Sequence, residues 1–226
     1  MQIKEIRLYT NKLNELKNFY SDLLGFSLIY FDQNVISFKV GNSILSFVQT
    51  KEITNPYYHF AFNITESKKD EGIAWLKQKG ININLINGSE DIFSKSWNSH
   101  SIYFYDPSGN ILELIARHDL KSDDHKEFKA TDIINISEIG FPVNDVKLAS
   151  DELIQRYNVE VYKESNNEFA PIGNEDGLFI LSGLNRNWLG SNKKVEIFPL
   201  ELTILSCKES EERFLSFPYI IQEKLN

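Results

Sequence analysis

Three stretches of the sequence repeat one pattern, and that repetition limits the fold more than any other feature. They are "EIRLYTNKLNELKNFYSDLLGFSLIY", "HFAFNITESKKDEGIAWLKQKGININL" and "EIGFPVNDVKLASDELIQRYNVEVY", beginning at Glu5, His59 and Glu138. Each opens on residues that alternate between two faces, as a strand requires, passes through residues suited to a helix start, and changes to helical spacing. Leu13, Leu16, Tyr20 and Leu23 form one helical stripe, and Val146, Ala149 and Leu153 another. Gly25, Gly80 and Asn158 stand where a left-handed residue ends a helix, each followed by the apolar residue that starts the next strand.

After each helix the sequence reads as about three further strands joined by turns. The expected fold is therefore α+β, built from repeated βαβββ modules. Residues 1–55 and 56–118 make a pair of modules within 1–118, residues 119–131 a charged linker, and residues 132–207 a third, divergent module. Residues 208–226 form a carboxyl-terminal tail that docks through Phe214, Phe217, Tyr219 and Ile220. The linker histidines, His118 and His125, are expected in solvent. In "DPSGN" the residues Asp106, Pro107 and Gly109 occupy type I turn positions, which makes "SIYFY" and "ILELIA" antiparallel neighbours.

Glu113 breaks the run "ILELIA", and a buried unpaired carboxylate would cost several kcal/mol. Alternation places it with Ile111 and Ile115, away from Leu112 and Leu114. By the same rule His59 shares a face with Ala61 and Asn63, and Glu5 shares one with Arg7 and Tyr9. Each of the three therefore lies on the face away from the aliphatic residues, where a carboxylate can find water, a cationic partner or a metal. His100 is a further candidate acid or base, and Tyr103 a candidate ligand contact.

The formal net charge of −8 argues against nucleic acid or an anionic membrane as partner and favours cationic or neutral small molecules. No apolar run is long enough to span a bilayer, and "MQIKEIRLYT" lacks the features of a secretory signal, so a cytoplasmic home is expected. The single Cys207 offers neither an intrachain disulfide nor a thiolate cluster, so a metal would take oxygen and imidazole ligands.

The segments "NELKNFYSDLLGF" and "SIYFYDPSGNILELIAR" resemble the vicinal oxygen chelate superfamily, which includes glyoxalase I, fosfomycin-resistance proteins, bleomycin-resistance binders and extradiol dioxygenases. The resemblance implies that two βαβββ modules close into a barrel-like cup, with metal ligands on the first and last strands of each module. Carried onto this chain, those positions are Glu5, Ser46, His59 and Glu113. Glu5, His59 and Glu113 become the expected ligands of a divalent metal (Mn, Fe, Ni, Zn or Mg), with Arg7, Tyr9, Ser46 and Tyr103 around the ligand. Glu5 stands where ring-cleaving members have a histidine, and Ser46 where glyoxalase I has a further carboxylate.

Glu138 and Glu201 of the third module match Glu5 and Glu113 by position, but that module holds no histidine, so they are expected to be cup wall. One module cannot close a cup alone. The third is expected to pair with its copy in a homodimer or to pack on the first two. Functionally the resemblance implies a glyoxalase/bleomycin-resistance-like protein, either a metal-dependent lyase or dioxygenase acting on vicinal oxygens, or a metal-free binder that sequesters a small molecule. An interaction protein that has lost chemistry is the remaining reading.

Overall fold

A computed structural model of the chain describes residues 1–120 and 127–225, so His125 lies outside the described residues. The first module runs β1 (Gln2–Thr10), α1 (Leu13–Lys17, continued by a π-helical stretch, Asn18–Leu23), β2 (Ser27–Phe31), β3 (Val35–Val40) and β4 (Ser43–Gln49). The second runs β5 (His59–Thr65), α2 (Lys69–Gln78), β6 (Ile83–Asn84), β7 (Ile92–Ser94), β8 (Ser99–Tyr105) and β9 (Ile111–Arg117). The third holds β10 (Asn135–Val143), α3 (Val146–Tyr157), β11 (Phe169–Asn174) and β12 (Gly177–Gly183). The remaining strands are β13 (Leu200–Ser206), β14 (Ser210–Arg213) and β15 (Tyr219–Leu225).

Local chemistry explains these elements well. The stripes Leu13, Leu16, Tyr20 and Val146, Ala149, Leu153 are buried, and Gly25, Gly80 and Asn158 all take positive φ where their helices end. The Asp145 side chain caps α3 by accepting from the Leu148 N–H at 2.9 Å. Gly109 N–H donates to Asp106 C=O at 2.9 Å, which closes the turn that sets β8 antiparallel to β9.

The modules pair differently from the expected first-with-second arrangement. One sheet has the order β14-β15-β13-β1-β4-β3-β2, and the other β11-β12-β10-β5-β9-β8-β6 with β7 beside β8. A strand has two edges; β1 gives its own to β4 and β13, and β5 gives its own to β9 and β10. Module two therefore closes against module three, while module one closes against the strands after residue 200. Both sheets are completed within one chain, so a second copy is not required to fill them.

Residues 208–226, expected as a tail, supply β14 and β15 to the first sheet. Phe214, Phe217 and Tyr219 are buried as expected, but alternation buries Ile221 in place of Ile220. The Tyr219 ring lies 4.5 Å from Phe141, and its hydroxyl donates to Pro142 C=O. The linker is also anchored, through Phe128 against Trp75, and His118 pairs with Glu66 instead of standing free in solvent. A single core joins the inner faces of both sheets, with Phe26 of the first module edge-on to Phe62 of the second. Among the described residues no helix is long and apolar enough to cross a membrane.

Candidate metal centre

The two antiparallel seams share a detail that places the acids. The register shifts just before Glu5 on β1 and just before Glu138 on β10. After the shift Glu138 lies opposite Ala61, and Ala61 lies opposite Glu113 on its other side. His59 is two residues from Ala61 and so projects from the same face. Three neighbouring strands thus deliver His59, Glu113 and Glu138 to one point, and their ligating atoms lie within 4.8 Å of one another. Among the described residues this is the group of histidine and acids able to hold a metal.

Glu5 is not part of it. Its carboxylate lies in the other sheet, where Oε1 accepts from the Ser46 hydroxyl at 2.7 Å with Arg7 Nε 3.9 Å away. The equivalent set in that sheet is Glu5, Glu201 and Gln222, because Thr203 lies opposite both Glu5 and Gln222. Glu201 thus corresponds to His59, not to Glu113, and accepts from the Tyr9 hydroxyl at 3.2 Å. Arg7, Tyr9 and Ser46 follow Glu5 to this side. His100 also points elsewhere: Ser99, Ser101 and Tyr103 line the cavity beside His59 and Glu113, so the intervening residue faces outward. There its Nδ1 meets Asp91 Oδ2 at 2.6 Å, beside Phe93 and His118.

The surroundings of the three residues set their protonation and orientation. His59 Nδ1 lies 3.1 Å from Ile111 C=O, which fixes the proton on Nδ1 and leaves the Nε2 lone pair toward Glu113, 3.6 Å away. Burial pushes the His59 pKa down, against the charge of Glu138 and the Ile111 hydrogen bond, and so favours the neutral ring. Burial raises Glu113, opposed by hydrogen bonds from the Ser101 and Tyr103 hydroxyls and by the charge of Arg117. Glu138 is pushed up to about 7 by burial and then by the charge of Glu113, with Arg117 and His59 opposing.

Arg117 was not singled out by the sequence reading, yet it is fully buried and braces the site. Its Nη2 donates to Glu138 Oε1 at 2.7 Å, its Nε to Asn63 Oδ1 at 3.0 Å, and its guanidinium lies over the Trp97 and Tyr162 rings. With both acids ionised, the guanidinium cancels one of their charges and leaves one negative charge that a divalent ion would offset. Arg117→Met leaves Glu138 without its cation, and we expect a loss of about 3–5 kcal/mol in stability, read as a lowered midpoint in denaturant.

A cavity of about 340 Å³ opens beside the group. One wall comes from the segment joining β12 to β13, where Asn187 pairs with Lys194 in a short hairpin. Trp188 of this hairpin packs 5.1 Å from the His59 ring. A Cβ on Gly140 would lie 2.6 Å from the Trp188 ring, so the glycine of "EIG" makes room for the indole. Gly190, at φ +70°, lets the hairpin pass where a Cβ would lie 2.1 Å from Tyr103.

Comparison with known proteins bears on the first two modules. The model of the Glyoxalase/Bleomycin resistance protein/Dioxygenase superfamily matches residues 2–114. Metallothiol transferase FosB of Staphylococcus epidermidis (strain ATCC 12228 / FDA PCI 1200) is 32% identical over 117 residues, 50% of this chain and 79% of that protein. FosB of Staphylococcus haemolyticus is 31% identical over 117 residues, 50% of this chain and 81% of that protein. The crystal structure of a proposed dioxygenase from Bacillus subtilis subsp. subtilis str. 168 superposes on 99% of this chain and 85% of its own, with a TM-score of 0.63 at 12% identity, a likeness of fold alone. The chain belongs to the glyoxalase/bleomycin resistance protein/dioxygenase superfamily.

Proposed function

We propose that the chain is a metal-dependent enzyme acting on a small molecule in the cavity between modules two and three, with His59, Glu113 and Glu138 as the ligands of a divalent ion. One observation carries the reading: donor atoms from three strands converge within 4.8 Å at the wall of a cavity of about 340 Å³. A hard oxygen and imidazole set suits Mn, Fe, Ni, Zn or Mg without choosing among them. When bound, such an ion supplies Lewis acidity to adjacent substrate oxygens.

The chain's own residues supply the rest. Ile111 C=O and the Trp188 ring hold His59 in one tautomer and orientation, and Ser101 and Tyr103 hold Glu113. Burial keeps the Tyr103 hydroxyl protonated far above neutral pH, so it remains a donor to Glu113 or to charge developing on a substrate oxygen. Leu189 and Trp188 line the cavity and reduce water at the reacting atoms. The metallothiol transferase relatives support group transfer over ring opening, through the half of the chain they match.

A metal-free binder is the second reading, favoured by the 2.7 Å Arg117–Glu138 pair that already offsets one carboxylate. It predicts ligand-dependent thermal stabilisation that survives a chelator. Elemental analysis of the purified protein separates the two. We expect near-stoichiometric divalent metal in the native protein and loss of both metal and turnover in His59→Ala and Glu113→Gln, with the fold retained. Unchanged uptake in both variants would remove the proposed centre.

A further inference from the structure

Arg117 starts far from the carboxylate it pairs with. Glu138 lies opposite Ala61 and Ala61 opposite Glu113, so Glu138 stands at the level of Glu113, four residues along β9 from Arg117. At about 3.3 Å per strand residue the gap is about 13 Å. Asn63, opposite Ile115, sits midway along it. The arginine side chain lies back along the sheet and meets Asn63 on the way: its Nε donates to Asn63 Oδ1 at 3.0 Å and its Nη2 to Glu138 Oε1 at 2.7 Å. The Trp97 and Tyr162 rings, each with its centroid 5.5 Å from the guanidinium carbon, support the group but let it slide.

Asn63 is fully buried and its amide has one allowed orientation. Its Nδ2 donates to Glu175 C=O at 2.7 Å and to Asn135 Oδ1 at 3.1 Å. A carbonyl can accept but not donate, so Glu175 draws the amide nitrogen to its side and turns Oδ1 toward Arg117. Asn135 is locked in the same way, because its Nδ2 donates to Asp176 C=O at 2.6 Å. Glu175 and Asp176 are the two residues between β11 and β12. A turn of the third module thus orients two asparagines and, through Asn63, the guanidinium.

The consequence falls on Glu138. Arg117 occupies its Oε1, whereas Oε2, on a side chain that lines the cavity, carries no hydrogen bond among the described residues. We propose that Asn63 is a positioning residue: by fixing Arg117 Nε it confines the guanidinium to Glu138 Oε1 and keeps Oε2 open to a metal ion. The effect on an ion rests on the reading of His59, Glu113 and Glu138 as ligands. The positioning of Arg117 does not.

Two variants separate the halves of the amide. Asn63→Leu loses both oxygen and nitrogen, whereas Asn63→Asp keeps an oxygen for Arg117. Both are expected to melt at lower temperature, because both leave Glu175 C=O and Asn135 Oδ1 without their donor. Affinity of the full-length protein for Mn and Zn, measured by calorimetry, should fall about 10- to 100-fold in Asn63→Leu. In Asn63→Asp it should stay at or above the native value, since the acceptor remains and a negative charge is added. A merely structural role would weaken metal binding in both. A second readout needs no metal: hydrogen exchange at the Arg117 Nε–H, followed by NMR on metal-free protein, should be at least about 10-fold faster in Asn63→Leu than in native protein or Asn63→Asp. Should Asn63→Leu not fold, Asn63→Ser, whose hydroxyl stops short of Arg117, carries the same expectations.

Equal loss of affinity in the two variants, native affinity in Asn63→Leu, or unchanged Nε–H exchange in Asn63→Leu overturns the proposal. Native protein that takes up no metal would discard the metal centre, and the exchange comparison then decides the positioning role by itself.

Discussion

Deletion of residues 208–226 is expected to abolish cooperative folding. Phe214, Phe217, Tyr219 and Ile221 are buried, and full burial of such a side chain stabilises by about 1.5–3 kcal/mol. Together they contribute roughly 6–12 kcal/mol, as much as the whole net stability of a typical domain. The deletion would also strip β15 from β13, which turns β13 into an edge strand with one row of backbone groups unpaired. Circular dichroism of the shortened chain should show no sharp thermal transition, and limited proteolysis should degrade it throughout. A melting temperature within a few degrees of the native value would mean that β15 is an accessory strand and that β1 and β13 hold the first sheet without it.

That strand shows where sequence reading stops. Local chemistry was legible: the strand-to-helix switch, the left-handed caps at Gly25, Gly80 and Asn158, and the turn at Asp106 to Gly109 each depend on neighbours a few residues apart. The faces of His59 and Glu113 followed from alternation, and both residues reached the candidate site. The strand at Glu201 was legible as the last of the third module, but β14 and β15 were not, because no helix lies between β13 and β14 to mark a further module.

Pairing between modules was illegible for a different reason. β1 and β5 carry the same pattern, so nothing local says which later strand closes on which. His100 was a misreading that alternation could have prevented. It and Tyr103 are three residues apart on one strand, so they face opposite sides, and only Tyr103 lines the cavity.

Glu138 and Glu5 provide the second strong expectation. The sequence reading chose Glu5 and set Glu138 aside because its own module has no histidine. The antiparallel seam brings His59 from the second module to Glu138, leaving Glu5 opposite Thr203 and near Glu201 and Gln222, a set without imidazole. Changes outside the ligand shell typically cost 10–100-fold in metal affinity, so loss of a ligand should cost at least about 100-fold. Glu138→Gln is expected to show that loss, while Glu5→Gln retains native affinity.

Arg117 complicates the first variant, because a neutral glutamine leaves its buried charge unpaired. The double variant Glu138→Gln/Arg117→Met removes both charges and should fold better than Glu138→Gln alone. It should still take up no metal, which separates the missing ligand from a damaged fold. Native affinity in the double variant, or equal losses in Glu138→Gln and Glu5→Gln, would refute a centre built on the seam between the second and third modules.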